Sequence, residues 1–232
     1  MTAEAEWDEF EQRLARLLSR LPEETYLVFR ASDNRWVQFS QGSADLVAEV
    51  VGNEYLAPAW QLDDAAAAAM TAVGWELDLF KTKNWGRTLA WPATSAQYAG
   101  LARAGVSALR ESLQVAQPAD VSLEWWTFSD SDVDVAGLGV GFAPMDEKVA
   151  LQNVRRHIRD NEYDDYAVDD LVAERFDVGW RVFARFPEVR SPNDIVVGRK
   201  IFLIGDNGRI MESSSSFPPK EQVRRFVETQ TS

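Results

Sequence analysis

One order of periodic segments occurs twice along this chain, and that repetition limits the folds open to it. Residues 7–115 read as a helix, several strands and a closing helix, and residues 146–230 read the same way. This pattern predicts an α+β fold of two modules, each an antiparallel sheet with helices packed on one face. With 232 residues the chain has room for two domains of roughly 100 residues each. The expected boundaries are 1–117 for the first module, 118–145 for an acidic connecting segment, and 146–232 for the second.

The periodicity behind this reading is explicit. Trp7, Phe10, Leu14, Leu17, Leu18 and Leu21 recur at three- and four-residue steps before Pro22, which marks an amphipathic helix and its end. Residues 26–30 and 35–41 flank Ser32-Asp33-Asn34, a turn signal, and residues 46–51 continue as a third strand. Trp36, Gln38 and Ser40 alternate with Val37 and Phe39, so one face of this sheet is expected to meet solvent. Residues 62–73 form an Ala-rich helix stopped by Gly74, residues 85–91 a strand, and residues 94–115 a long helix. In the second module a helix at 146–160 precedes strands at 171–176, 179–186 and 198–204. Asp206-Asn207-Gly208 is a tight turn into a return strand, and Pro218-Pro219 opens the last helix.

Charge narrows the partners. The net charge is −13, and the stretch 118–145 holds Asp120, Glu124, Asp130, Asp132 and Asp134 without a single basic residue. Such a field repels phosphate backbones and anionic lipid, so nucleic acid and membrane are not expected partners, whereas a basic protein segment is. The absence of cysteine removes disulfides, thiol nucleophiles and thiolate zinc sites. No apolar stretch reaches the ~20 residues of a membrane span, and the acidic N-terminus lacks the features of a signal peptide. The expected location is the cytoplasm.

Trp7, Phe10, Leu21-Pro22, Trp36-Val37-Gln38-Phe39, Ala48-Glu49-Val50 and Gly74-Trp75 together resemble the N-terminal domain of the actinobacterial TY-Chap family. That family is similar in turn to type III secretion chaperones and to the YbjN-like fold. The resemblance covers about residues 5–115 and implies a chaperone-like, protein-binding role, with a homodimer as the related assembly. Gly179-Trp180-Arg181-Val182-Phe183, Phe202-Leu203-Ile204, Asp206-Asn207-Gly208-Arg209-Ile210 and Pro218 resemble the YrhB/immunity-protein-35 type of domain over about residues 146–228. That second resemblance implies a partner toxin. Both resemblances rest on framework positions.

Residues suited to chemistry do not converge. His157 is the sole histidine, on a helix beside Arg155 and Arg156, whose charge would disfavour its protonated form. No G-x-S-x-G motif accompanies it. Gly137-Leu138-Gly139-Val140-Gly141 departs from G-x-G-x-x-G and reads as a turn ahead of a helix. Asp130, Asp132 and Asp134 suggest a calcium loop, but the sixth and twelfth positions hold Val135 and Gly141 instead of glycine and glutamate. The chain is therefore expected to be no enzyme, with no cofactor and no metal, and to grip a protein partner, either a chaperone client or a toxin. An enzyme of unknown class is the third reading, which a deep pocket with converging carboxylates would revive.

The nine tryptophans supply the candidate contacts, since Trp buries large area at low entropic cost. Trp7, Trp75 and Trp180 are assigned to cores. Trp36, Trp60, Trp85 and Trp125 are the expected partner-binding aromatics, with Asp130, Asp132 and Asp134 steering a basic client.

Overall fold

The structure, a computed structural model, describes residues 2–128, 133–163, 166–185 and 198–230. The chain divides into two compact units, residues 1–143 and 144–232. The fold is α+β with two sheet modules.

The first unit begins with α1 (Ala3–Leu18), capped by the Thr2 hydroxyl accepting from the Ala5 amide, with Glu4 and Glu6 in its positive first turn. Its buried stripe is Trp7, Phe10, Leu14 and Leu18. The meander β1 (Thr25–Arg30), β2 (Trp36–Gln41) and β3 (Asp45–Val50) follows. Asp33 and Asn34 turn its first hairpin, both with positive φ near 60°, which these residue types tolerate. Then come α2 (Asp64–Ala72), the two-residue β4 (Glu76–Leu77) and β5 (Trp85–Ala90). Helix α3 (Ser95–Ser107) starts from a Thr94/Gln97 capping box and runs into a π turn, Ala108–Ser112. Strands β6 (Ser122–Thr127) and β7 (Gly141–Phe142) complete a seven-stranded sheet in the order β4-β5-β3-β2-β1-β6-β7.

Helices α1 and α3 cover one face of this sheet. Trp7, Phe10, Phe29 and Phe39 meet edge to face in succession, at centroid distances of 5.8, 5.5 and 6.0 Å, and so tie α1 to the middle strands. Gly105 lets α3 settle there, because a Cβ at that position would stand 2.7 Å from Phe39 Cζ.

Residues 118–145 do more than connect. β6 pairs along its full length with β1, opposite β2, and β7 adds to it in parallel. The apolar Leu123 and Trp125 supply the reason, since both are buried on the helix-covered face.

The second unit holds α4 (Glu147–Asp160), β8 (Leu171–Phe176), β9 (Gly179–Ala184), β10 (Lys200–Gly205), β11 (Ile210–Ser214) and α5 (Pro219–Gln230). The sheet order is β11-β10-β9-β8, all antiparallel. One-sided covering was expected here too, and the structure corrects it. Phe202 of β10 meets the α4 residue His157 at 5.6 Å, while its neighbours Ile201 and Leu203 form a core with Phe226 of α5. Successive side chains on a strand point to opposite faces, so the two helices lie on opposite sides of this sheet.

Candidate functional site

The face of the seven-stranded sheet opposite α1 and α3 follows from strand register. β1 contributes Tyr26, Val28 and Arg30; β2 contributes Trp36, Gln38 and Ser40; β3 contributes Val47 and Glu49; β6 contributes Glu124 and Trp126. Across the strands these form rows, one running Trp126, Tyr26, Ser40, Val47 and the next Glu124, Val28, Gln38, Glu49. Most of these side chains are half-buried; Glu124 is exposed and Val28 is buried.

Aromatic side chains concentrate at one end of this face. The Tyr26 and Trp126 rings stack at 5.1 Å and 10° across the β1–β6 pair, and Phe128 meets Tyr26 edge-on at 6.3 Å. Phe128 remains 59% exposed although its amide donates to the Glu24 carbonyl at 3.0 Å, which holds the backbone in place. A large apolar ring fixed by its own backbone and left in water is an available contact surface.

At the other end a loop folds back over the sheet. Thr82 Oγ1 donates to Glu49 Oε1 at 2.9 Å, and the Leu79 and Phe80 side chains lie where a Cβ on Gly86 would meet them at 2.8 and 2.7 Å. Only glycine at position 86 admits that loop. The face is thereby closed at β5 and aromatic at β6.

Of the four expected tryptophans, the structure brings Trp36 alone to this face. Trp85 and Trp125 point to the helix-covered side, 6% and 7% exposed, and Trp125 Nε1 is buried with no hydrogen-bond partner among the described residues. Trp60 lies over the Arg35 guanidinium at 3.8 Å. Arg35 in turn donates to the Leu113 carbonyl at 2.7 Å, so this pair fastens the end of the π turn to the sheet. Trp7 and Trp75 are core residues, and Trp180 is half-buried, with its Nε1 donating to the Met145 carbonyl at 2.8 Å. Asp134 is exposed in a groove shared with Arg13, Arg16 and Arg20. Asp130 and Asp132 lie outside the described residues. Sequence reasoning passed over Tyr26, Trp126 and Phe128. The alternation Trp125-in, Trp126-out was the available signal, once β6 is paired with β1.

The second unit gathers its titratable groups around Glu212. Tyr163 Oη donates to Glu212 Oε1 at 2.6 Å, Lys200 Nζ to Oε2 at 2.8 Å, and His157 Nε2 lies 3.0 Å from Oε1. Partial burial acts to raise the Glu212 carboxyl, but the bonds from Lys200, Tyr163 and His157 outweigh it and hold the group at about 2. On the same helix Arg155 Nε donates to the Val168 carbonyl at 3.3 Å and Arg156 bonds Asn153. The glycine-rich run forms a short turn and β7, while α4 begins only at Glu147. Among the described residues no group of three or more His, Asp or Glu is placed to hold a metal ion, and no helix is long and apolar enough to cross a membrane.

Residues 1–127, more than half of the chain, match the family described as TY-Chap3, T3SS (YopN, CesT) and YbjN peptide-binding chaperone 3. The chain belongs to the TY-Chap3 family. Membership implies a peptide-binding, chaperone-like function and a protein partner. No curated protein and no solved structure matches the chain. The TY-Chap3 match ends at Thr127, the last residue of β6, so it takes in Trp126 and the whole β1–β6 pairing. The immunity-type resemblance of residues 146–228 has no support from these comparisons.

Proposed function

We propose that the face opposite α1 and α3 holds an extended peptide segment of a partner protein, without turnover. Tyr26, Trp126 and Phe128 form its apolar anchor, and Trp36, Gln38 and Ser40 form the floor beside it. The observation that carries this reading is the stacked Tyr26–Trp126 pair with Phe128 exposed next to it. Rigid aromatics lose little entropy on contact, and the neighbouring polar groups can bond a peptide backbone. Glu124 on the face, and Asp130, Asp132 and Asp134 in the following segment, favour a basic client in the cytoplasm through their field. A homodimer is the assembly that the family resemblance suggests for such a chaperone.

An array of extended basic and neutral dodecapeptides, read against the full chain and its Trp126→Ala and Phe128→Ser variants, tests the assignment. Truncating a central aromatic contact costs about 2 kcal/mol, roughly thirtyfold in affinity. Binding that ignores both substitutions overturns the site. Affinity purification from the native cell separates the roles: several clients support the chaperone reading, whereas one dominant basic toxin supports an immunity role.

A further inference from the structure

Strand β8 stands at the edge of the four-stranded sheet, and its outward hydrogen-bonding groups can be identified. Phe176 and Gly179 flank a two-residue turn, so that pair and every second pair before it, Glu174–Arg181 and Val172–Phe183, exchange bonds within the ladder. The Arg185 amide donating to the Asp170 carbonyl at 2.9 Å keeps the same parity. Leu171, Ala173 and Arg175 therefore turn both their N–H and C=O groups away from β9, and these backbone groups have no bonded partner among the described residues. Such an edge is a template for another strand.

Beside this edge, on the α5 face, lies a cleft of about 310 Å3 whose apolar lining is Phe176, Pro219 and Val223. It lies on the side to which Val172, Glu174 and Phe176 point. The charges around it are mostly matched: Arg181 is held by Gln222 at 2.9 Å and by Glu174, and Arg175 forks onto Asp206 at 2.6 and 2.7 Å. Lys220 at the rim is exposed and makes no ion pair among the described residues.

We propose that β8 receives an extended segment of a partner protein as a fifth strand, an apolar side chain of that segment entering the Phe176–Val223 cleft and an acidic one meeting Lys220. The backbone of the added strand bonds Leu171, Ala173 and Arg175. Its side chains opposite Val172, Glu174 and Phe176 fall on the cleft side, which sets an alternating pattern for the guest. The site is separate from the aromatic face of the first unit, and its chemistry differs in sign, since it selects acid where that face favours base.

The probe is an array of blocked octapeptides that alternate threonine with valine or leucine, each with one aspartate or one lysine, bound to the full chain. Aspartate-bearing members are expected to bind, and hydrogen exchange should then slow at the amides of Leu171, Ala173 and Arg175. Ala173→Pro removes one outward N–H without touching the β8–β9 ladder, and should weaken binding about three- to tenfold. Lys220→Glu should cost about two- to fivefold for aspartate peptides and reverse the preference toward lysine peptides. N-methylation of the guest amides facing β8 should abolish binding. Failure of every peptide to bind overturns the proposal, as does binding that leaves those three amides unprotected. Protection that depends on protein concentration alone would instead assign the edge to a second copy of the chain. Trp126→Ala should leave this binding unchanged, so its outcome is independent of the peptide-holding role given to the first unit.

Discussion

The two sheets treat their faces differently. The seven-stranded sheet carries both long helices of its unit, α1 and α3, on one side, and on the other it relies on its own side chains, stacked as Tyr26 on Trp126. The four-stranded sheet is covered on both sides, by α4 and by α5. Its β10 strand accordingly buries Ile201, Phe202, Leu203 and Ile204 without a break, where β2 and β3 alternate buried with half-buried residues. The difference teaches where each unit can offer a surface. A sheet covered on one face can offer the other, while a sheet covered on both has only its edges left.

Four substitutions would break or sharpen that contrast. The largest effect is expected at Phe226, fully buried against Ile201 and Leu203: Phe226→Ala should cost about 3–5 kcal/mol in denaturant unfolding of the second unit. A small loss there would mean that α5 does not seal the second face. Next is Gln222, wholly buried, which accepts from Arg181 and donates to the Ser214 and Phe217 carbonyls at 3.0 and 2.7 Å. Gln222→Leu strands those groups and should cost about 1–3 kcal/mol in the same measurement.

Trp126→Ala marks the opposite behaviour. It removes a cross-strand aromatic pair on a half-buried face, so about 0.5–1.5 kcal/mol of stability should go while peptide affinity falls by about 2 kcal/mol. Equal losses in stability and binding would make Trp126 a core residue, and the contrast between the sheets would fail. The smallest effect concerns acid. The Glu212 carboxyl is depressed from 4.5 to about 2 in the folded protein, so the unfolded chain binds its proton more readily. The stability it contributes is complete above pH 4.5 and is lost as pH falls toward 2. Glu212→Gln should flatten this part of the acid-unfolding curve of the second unit. An unchanged curve would show that Lys200, Tyr163 and His157 do not hold the carboxylate in solution.

Much of this architecture could be read from local pattern. Trp7, Phe10 and Leu14 at helical spacing announced α1, and Thr94 with Gln97 marks the start of α3 as a capping box. Asp33-Asn34 and Asp206-Asn207-Gly208 marked hairpins because those residues accept positive φ or bond their own backbone. β4 escaped notice because two residues carry no period. The two-sided cover of β10 contradicts the one-sided expectation, because a short unbroken apolar run does not by itself say how many faces of a strand are covered.

The candidate site was harder to read for a definite reason. Trp125 and Trp126 are adjacent and chemically equal, and only the pairing Leu27↔Trp125 and Tyr26↔Trp126 sends one to the core and the other to the opposite face. A slip of one residue would exchange them. Trp60 and Trp85 drew attention as large aromatics, but Arg35 claims the first and the helix-covered core the second.

By itself the sequence determined the longer helices and most of the longer strands, their order, the two-module α+β plan and the family of the first module, because helix periods, caps and turn residues are local quantities. Tertiary structure alone decided which face each strand residue occupies, that residues 122–127 join the first sheet as its sixth strand, and that α4 and α5 lie on opposite sides of the second. Those outcomes depend on register between segments up to about a hundred residues apart, as in Thr25 paired with Thr127. Register is set by the burial of whole faces together, which no short window of sequence contains.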